Sequence, residues 1–313
     1  MSELFYLVLA LFALLFLAYL FAPLKLVEVF LKLARRMCGY RTKTVSVDGY
    51  QWHYLDSGGE GKEVLVLVHG FGANKDNWLT YGRLFTKHYR VIVPDLPGFG
   101  DNRKDPSLSY HVTLQTDRLQ GFFRQLGLGP VHLVGNSMGG YIATLFALKY
   151  PEQLKSVLLM NSAGVKGTRQ SWLERNAVEG KNPLVINTIE QMDDLFARIS
   201  HRPLKFPGPV KNYMFLDMKT NHDFYDGIFW ELLGTEGEMP YLNEQLQQIT
   251  VPLMVVWGSE DQLLDVSCAY VIKEKLPSAT LLVLEQVGHI PMIEATHETA
   301  ARHLEFLSKL APA

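Results

Sequence analysis

VHLVGNSMGGYIATLFALKY, residues 131–150, decides the fold. VHLV (131–134) is short and mostly apolar, as a strand buried on both faces of a parallel sheet would be. A helical pattern then runs over about 138–149. Between them, Gly135-Asn136-Ser137-Met138-Gly139 matches G-x-S-x-G. A strand, a sharp turn and a helix are the setting that exposes a nucleophilic serine at the head of a helix. The turn is strained and passes close to its neighbours, so Gly135 and Gly139 must be small. The helix N-terminus favours negative charge beside Ser137.

Outward from this stretch the same alternation continues. VLVLV (64–68), VIV (91–93), SVLLM (156–160), VPLMVVW (251–257) and TLLVL (280–284) are further candidate strands. Helical patterns occupy about 111–126, 266–275 and 297–310. Strands alternating with helices predict right-handed crossovers and a doubly wound, mostly parallel α/β sheet. TKTVSVDGYQWHYLDSGG reads as a hairpin turning at Asp48-Gly49. From about 165 to 250 the alternation stops, and Met192, Phe196, Phe206, Met214, Phe215, Met218, Phe224, Phe229 and Trp230 accumulate. A structureless connection of that length is rare in a compact domain, so a helical cap is expected there. The expected organisation is 41–164 and 251–313 as the α/β core, 165–250 as the cap, and 1–40 as membrane-associated helices.

The N-terminus differs from everything after it. Leu4–Ala22 is an uncharged apolar run whose helix would span about 28 Å, close to the hydrocarbon thickness of a bilayer. A secretory signal would carry basic residues before a shorter core and a small-residue cleavage site; this segment has Glu3 and neither feature. A buried soluble helix would need a less uniform surface. The run therefore predicts a retained, single-pass transmembrane anchor. Pro23 ends or bends it. In LKLVEVFLKLARRMCGY, Lys25, Glu28, Lys32, Arg35 and Arg36 share one face, and Leu26, Val27, Phe30, Leu33 and Met37 supply the other. Such a helix either lies in the membrane interface or packs its apolar face on the globular domain. The basic residues follow the run, which by the positive-inside rule puts the C-terminal domain in the cytoplasm. The N-terminal helices could also carry a homodimer, although the run holds no G-x-x-x-G.

Composition narrows the remaining classes. The chain has 313 residues, 48% of them hydrophobic, and a net charge of −2, so nothing draws it to nucleic acid. Two cysteines, Cys38 and Cys268, make no disulfide framework, and spacing does not argue for one bridge.

A serine nucleophile needs a base, and the chain offers ten histidines. His289, in VGHIPMIE, follows the last strand at the carboxyl edge, where ligands bind in such sheets. His297 and His303 belong to the final helix and are expected to face solvent. His132 lies in a strand, His111 opens a helix, and His53 and His88 read as structural or surface residues. His201 and His222 fall in the cap. The base needs an acid to fix its tautomer. Asp261, in WGSEDQLL, is favoured over Glu260 and Asp265, and the loop after 156–160 offers only Asn161 and Ser162. Two amides complete the set as oxyanion donors: Met138 N–H, and Phe71 N–H in His69-Gly70-Phe71-Gly72. His69 is read as shaping that loop rather than as the base.

LVHGFGANKDNW, VIVPDLPGFGDN, HLVGNSMGGYIA, WGSEDQLL and VGHIPMIE resemble the signature blocks of the α/β-hydrolase superfamily over about 44–310. With the N-terminal run, the chain resembles membrane-anchored monoacylglycerol lipases and bacterial membrane-bound phospholipases A. The resemblance implies hydrolysis of lipid acyl esters without metal or organic cofactor, by Ser137, Asp261 and His289 with Phe71 and Met138. Dehalogenases and epoxide hydrolases of this fold carry Asp at the elbow, so Ser137 argues against both. The same triad would also serve a small soluble ester or a C–C bond, and a hydrolase fold can be a non-catalytic binding protein.

Overall fold

In the computed structural model, which describes residues 2–234 and 239–310 (side chains at 2, 11–18 and 20 excepted), the chain opens with two helices. These are α1 (Ser2–Phe21) and α2 (Pro23–Met37). Pro23 starts α2, where its missing N–H costs nothing. Among the described residues no helix is long and apolar enough to cross a membrane; the expected anchor Leu4–Ala22 falls largely within α1, and its side chains at 11–18 and 20 are not described.

The docking of α2 corrects the expected division of its faces. Arg35, expected among the solvent-side charges, is buried with Val27 against the globular domain. Val29, Phe30, Leu33 and Met37 point outward instead. By helical spacing these four form one stripe, and exposed Lys25, Lys32 and Arg36 form its flank.

One eight-stranded sheet follows, in the order β1-β2-β4-β3-β5-β6-β7-β8. β1 (Arg41–Val47) and β2 (Tyr50–Asp56) form the expected hairpin. Asp48 and Gly49 both take positive φ, as a two-residue turn joining twisted strands requires. β2 also pairs antiparallel with β4 (Arg90–Pro94). From β4 through β3 (Val64–Val68), β5 (Val131–Asn136), β6 (Leu154–Met160), β7 (Leu253–Gly258) and β8 (Thr280–Leu284), every pair is parallel. The chain moves from β3 to β4 on one side and then crosses to β5 on the other. The loops after β3 and β5 therefore open a crevice at a topological switch point.

Helices cover both faces. α3 (Leu79–Arg83), α11 (Pro291–Glu294) and α12 (Thr296–Ser308) share a core with Leu65, Leu67, Val93 and Val256. α4 (Val112–Gln125), α5 (Met138–Lys149) and α10 (Ser267–Lys275) close the other face over Trp52, Phe122, Phe146 and Trp257. Each large apolar side chain buried here contributes about 1.5–3 kcal/mol. His303 corrects another expectation: it is buried, because Thr299, Ala300, His303, Phe306 and Leu307 make the inward stripe of α12. Cys38 and Cys268 are free thiols, and burial pushes that of Cys268 up to about 12.

Between β6 and β7 lie α6 (Trp172–Val178), α7 (Ile189–Ile199), α8 (Gly208–Thr220) and α9 (His222–Leu233). Capping boxes start two of them: Ser171 with Glu174, and Thr188 with Gln191. Of these helices, α9 reaches the carboxyl edge of the sheet, where its Tyr225 and Phe229 pack against Phe71.

Candidate active site

Ser137 sits between β5 and α5 with φ 56° and ψ −120°, a left-handed conformation costing a non-glycine residue about 1–3 kcal/mol. Its surroundings hold it there. Ser137 N–H donates to the Met160 carbonyl at 3.0 Å, and its own carbonyl accepts from the amides of Gly140, Tyr141 and Ala163. A Cβ on Gly135 would lie 2.1 Å from the Gly139 oxygen, and one on Gly139 would lie 2.4 Å from the Val68 oxygen. Both glycines are thus required by the backbone contacts that present Ser137.

The loop after β3 lies directly against this turn. A Cβ on Gly70 would sit 3.0 Å from the Ser137 Cβ. Buried His69 shapes the loop: its Nε2 accepts from Leu96 N–H at 2.9 Å, which leaves Nδ1–H to donate to the Gly70 carbonyl at 2.8 Å. Burial lowers the His69 pKa and keeps the ring neutral, as that pattern needs. The next residue, Phe71, is fixed by edge-to-face contacts with Phe99, Tyr225 and Phe229. Met138, the first residue of α5, is buried beside Ser137. Of the two residues expected to supply oxyanion amides, Phe71 thus follows the glycine packed against Ser137, and Met138 follows Ser137 itself.

Asp261 and His289 lie side by side at the carboxyl edge. His289 Nδ1 lies 2.8 Å from Asp261 Oδ2, and both side chains are almost fully buried. Asp261 Oδ1 accepts from the Leu263 and Leu264 amides at 2.8 and 3.0 Å. These two bonds fix the carboxylate so that its other oxygen faces the imidazole. Close approach of the two loops again demands glycine: a Cβ on Gly258 would be 2.1 Å from the Gly288 oxygen. The Nε2 of His289 has no hydrogen-bond partner among the described residues. The other carboxylates are engaged elsewhere: Glu260 is exposed beside Ser259, and Asp265 pairs with Arg169 at 3.1 Å.

Three positioning side chains were not foreseen. Asn161, left-handed at φ 43°, donates from Nδ2 to Asp261 Oδ2 at 2.6 Å. Asn136 donates to the carbonyls of Met160 and His289, both at 3.1 Å. Glu294 accepts from Gly288 N–H at 2.9 Å and from His201 N–H at 2.7 Å, tying the histidine loop to the segment after α7. The backbone repeats that link, with His289 N–H donating to the Ile199 carbonyl at 2.8 Å. Asn161 follows strand β6, Asn136 ends β5, and Glu294 ends the quoted VGHIPMIE block, so position was the available signal.

The other histidines divide between contacts within the fold and the surface. His132 bonds Ser156 and Glu63, His111 caps α4, and His53 contacts Asn102. His88 and His297 are exposed, and His222 bonds Asn187 and Asp223.

Comparison with known proteins places the chain in a family. The family described as alpha/beta hydrolase fold matches residues 63–296. Lipase 1 of Psychrobacter immobilis is 34% identical over 258 residues, covering 82% of this chain and 80% of that protein. Monoacylglycerol lipase ABHD6 of Mus musculus is 30% identical over 304 residues, covering 94% and 90%. The crystal structure of a membrane phospholipase A, described as a bacterial virulence factor, superposes with a TM-score of 0.89 at 35% identity, covering all of both chains. The chain belongs to the α/β-hydrolase fold family.

Proposed function

We propose that this chain is a membrane-anchored serine hydrolase that cleaves acyl esters of lipids such as monoacylglycerol, lysophospholipid or phospholipid. The observation carrying the reading is the buried Asp261–His289 pair at the same sheet edge as the strained Ser137 turn. Asp261 holds the imidazole by Nδ1, which directs Nε2 to take the Ser137 proton. Ser137 Oγ then attacks the ester carbonyl, and the Phe71 and Met138 amides receive the charge that develops on its oxygen. The imidazolium returns its proton to the leaving alcohol. Water, deprotonated by the same histidine, next releases the fatty acid from the acyl-enzyme.

The lipid substrate follows from surroundings and relatives. Phe71, Phe99, Tyr225 and Phe229 make an apolar aromatic cover beside the serine loop. The similar proteins named above carry lipase and phospholipase names. The helices of 165–250 act in this reading as a lid that admits an acyl chain. Leu4–Ala22 supplies the single-pass anchor, and the outward stripe Val29, Phe30, Leu33 and Met37 lies in the interface with Lys25, Lys32 and Arg36 among headgroups. The basic residues after the anchor put the hydrolase domain on the cytoplasmic side.

A lipid panel tests the reading. Full-length protein in detergent or vesicles is offered mono-, di- and triacylglycerols, phospholipids and lysophospholipids. Release of fatty acid from at least one lipid class, lost in Ser137→Ala, is expected. Turnover confined to short soluble esters contradicts the lipid assignment.

A further inference from the structure

Helix α2 does more than lie beside the domain. Arg35, buried on its inner face, forms a two-bonded fork with Asp76: Nε to Oδ1 at 2.7 Å and a terminal nitrogen to Oδ2 at 2.6 Å. The residues are 41 positions apart. Asp76 lies in the first turn of the 3-10 segment Lys75–Trp78, which continues the loop carrying Gly70 and Phe71. A turn from Ala73 N–H to the Gly70 carbonyl and the Asn74 cap on Asp76 N–H leave little slack between Phe71 and Asp76.

The neighbouring residue locks the other side of this loop. Lys75 is buried, with its ammonium 2.7 Å from Asp95 and 2.6 Å from Asp101. Its backbone N–H also donates to Asp95 Oδ1 at 2.8 Å, and Asp101 N–H donates to Oδ2 at 2.9 Å. A Cβ on Gly100 would fall 2.3 Å from the Asp95 carboxyl carbon, so this packing allows only glycine there. Arg35 reaches the same cluster, 3.7 Å from Asp101. Burial works against the charged forms of Lys75 and Arg35, yet their carboxylate partners raise both pKa values, so both stay cationic.

We propose that Arg35 is a positioning residue for the oxyanion loop, and that α2 thereby braces the active site through the Arg35–Asp76 fork. The inference rests on the serine-hydrolase reading above. It makes the N-terminal helix part of the catalytic geometry, with one face on the bilayer and the other on the loop bearing Phe71. Bidentate guanidinium–carboxylate pairing fixes orientation as well as distance, which a lysine at 35 would not reproduce. A displaced oxyanion donor weakens transition-state binding while leaving ground-state substrate binding almost untouched.

The test uses full-length protein in detergent micelles with the soluble ester p-nitrophenyl butyrate. Parent, Arg35→Lys, Arg35→Met and the pair Arg35→Met/Asp76→Asn are compared for kcat, KM, thermal midpoint and rate of fluorophosphonate labelling. The pair removes both charges, so it leaves no unpaired carboxylate and stays folded where Arg35→Met alone fails. Expected is a fall in kcat and labelling rate of about tenfold in the pair, with KM within about twofold and an intermediate value for Arg35→Lys. An active parent with kcat in the folded pair within about twofold of it overturns the brace. Loss confined to KM overturns it as well. A parent that neither hydrolyses nor labels overturns the functional reading, and this inference falls with it.

Discussion

Of the histidines this molecule buries almost completely, two differ most instructively in what they face. His289 lies at the carboxyl edge of the sheet, and His303 lies on the inner face of α12 against α3. Both have an Nε2 with no hydrogen-bond partner among the described residues. The difference is at Nδ1. His289 meets the carboxylate of Asp261 at 2.8 Å, whereas His303 meets the hydroxyl of Tyr81 at 2.8 Å. A carboxylate stabilises the imidazolium that forms during proton transfer; a buried phenol does not. Around His303 stand Tyr81, Phe85 and Phe306, and burial, with a small contribution from His132, lowers its pKa to about 3. Burial alone therefore does not mark a catalytic histidine. Its partner and its place on the sheet do.

The contrast can be broken most sharply at the carboxylate. Asp261→Asn keeps the shape but allows the amide to select the wrong imidazole tautomer, so kcat should fall about 10⁴-fold while the fold persists. Steady-state kinetics beside circular dichroism check this. Asn161→Ala removes one bond to the same carboxylate oxygen. Bonds to charged groups are worth about 1.5–3 kcal/mol, so a kcat loss of about 10- to 100-fold is expected, with KM little changed.

At His303 the effect on activity should be the smallest, and the effect should fall on stability instead. His303→Phe leaves the Tyr81 hydroxyl without its partner, at a cost of about 1–3 kcal/mol, and kcat/KM should stay at the parental level. Acid sensitivity changes too. The unfolded chain takes up a proton on this residue below about pH 6.5, while the folded protein resists until about 3. The lowered folded-state pKa thus contributes stability that is complete above about 6.5 and is lost as pH falls toward 3. The variant should lose stability less steeply with acid across that window, as thermal midpoints read against pH.

Much of this was legible because buried parallel strands declare themselves. VLVLV and TLLVL became β3 and β8 with the expected ends, and Asp48-Gly49 turned the hairpin. The groups at strand ends were equally readable, since Ser137, Asp261 and His289 each follow a strand in a parallel sheet. What the chain concealed depended on partners distant in sequence. Periodicity sorted α2 into stripes but could not say which stripe docks, because Asp76 lies 41 residues beyond Arg35. Asn161 stood where an acid was sought, and its role emerged only with Asp261, 100 residues away. His303 was misjudged although Ala300, Phe306 and Leu307 flank it at helical spacing; that pattern was the available signal.

The central claim is that Ser137 is the nucleophile activated by the Asp261–His289 pair. The most direct measurement is the site and rate of fluorophosphonate modification, read by mass spectrometry of peptides from the full-length protein. The account predicts one adduct on the peptide containing Ser137, with labelling slowed about 10³-fold or more in His289→Ala. An adduct on another residue, or labelling of Ser137 at an unchanged rate without His289, would contradict it.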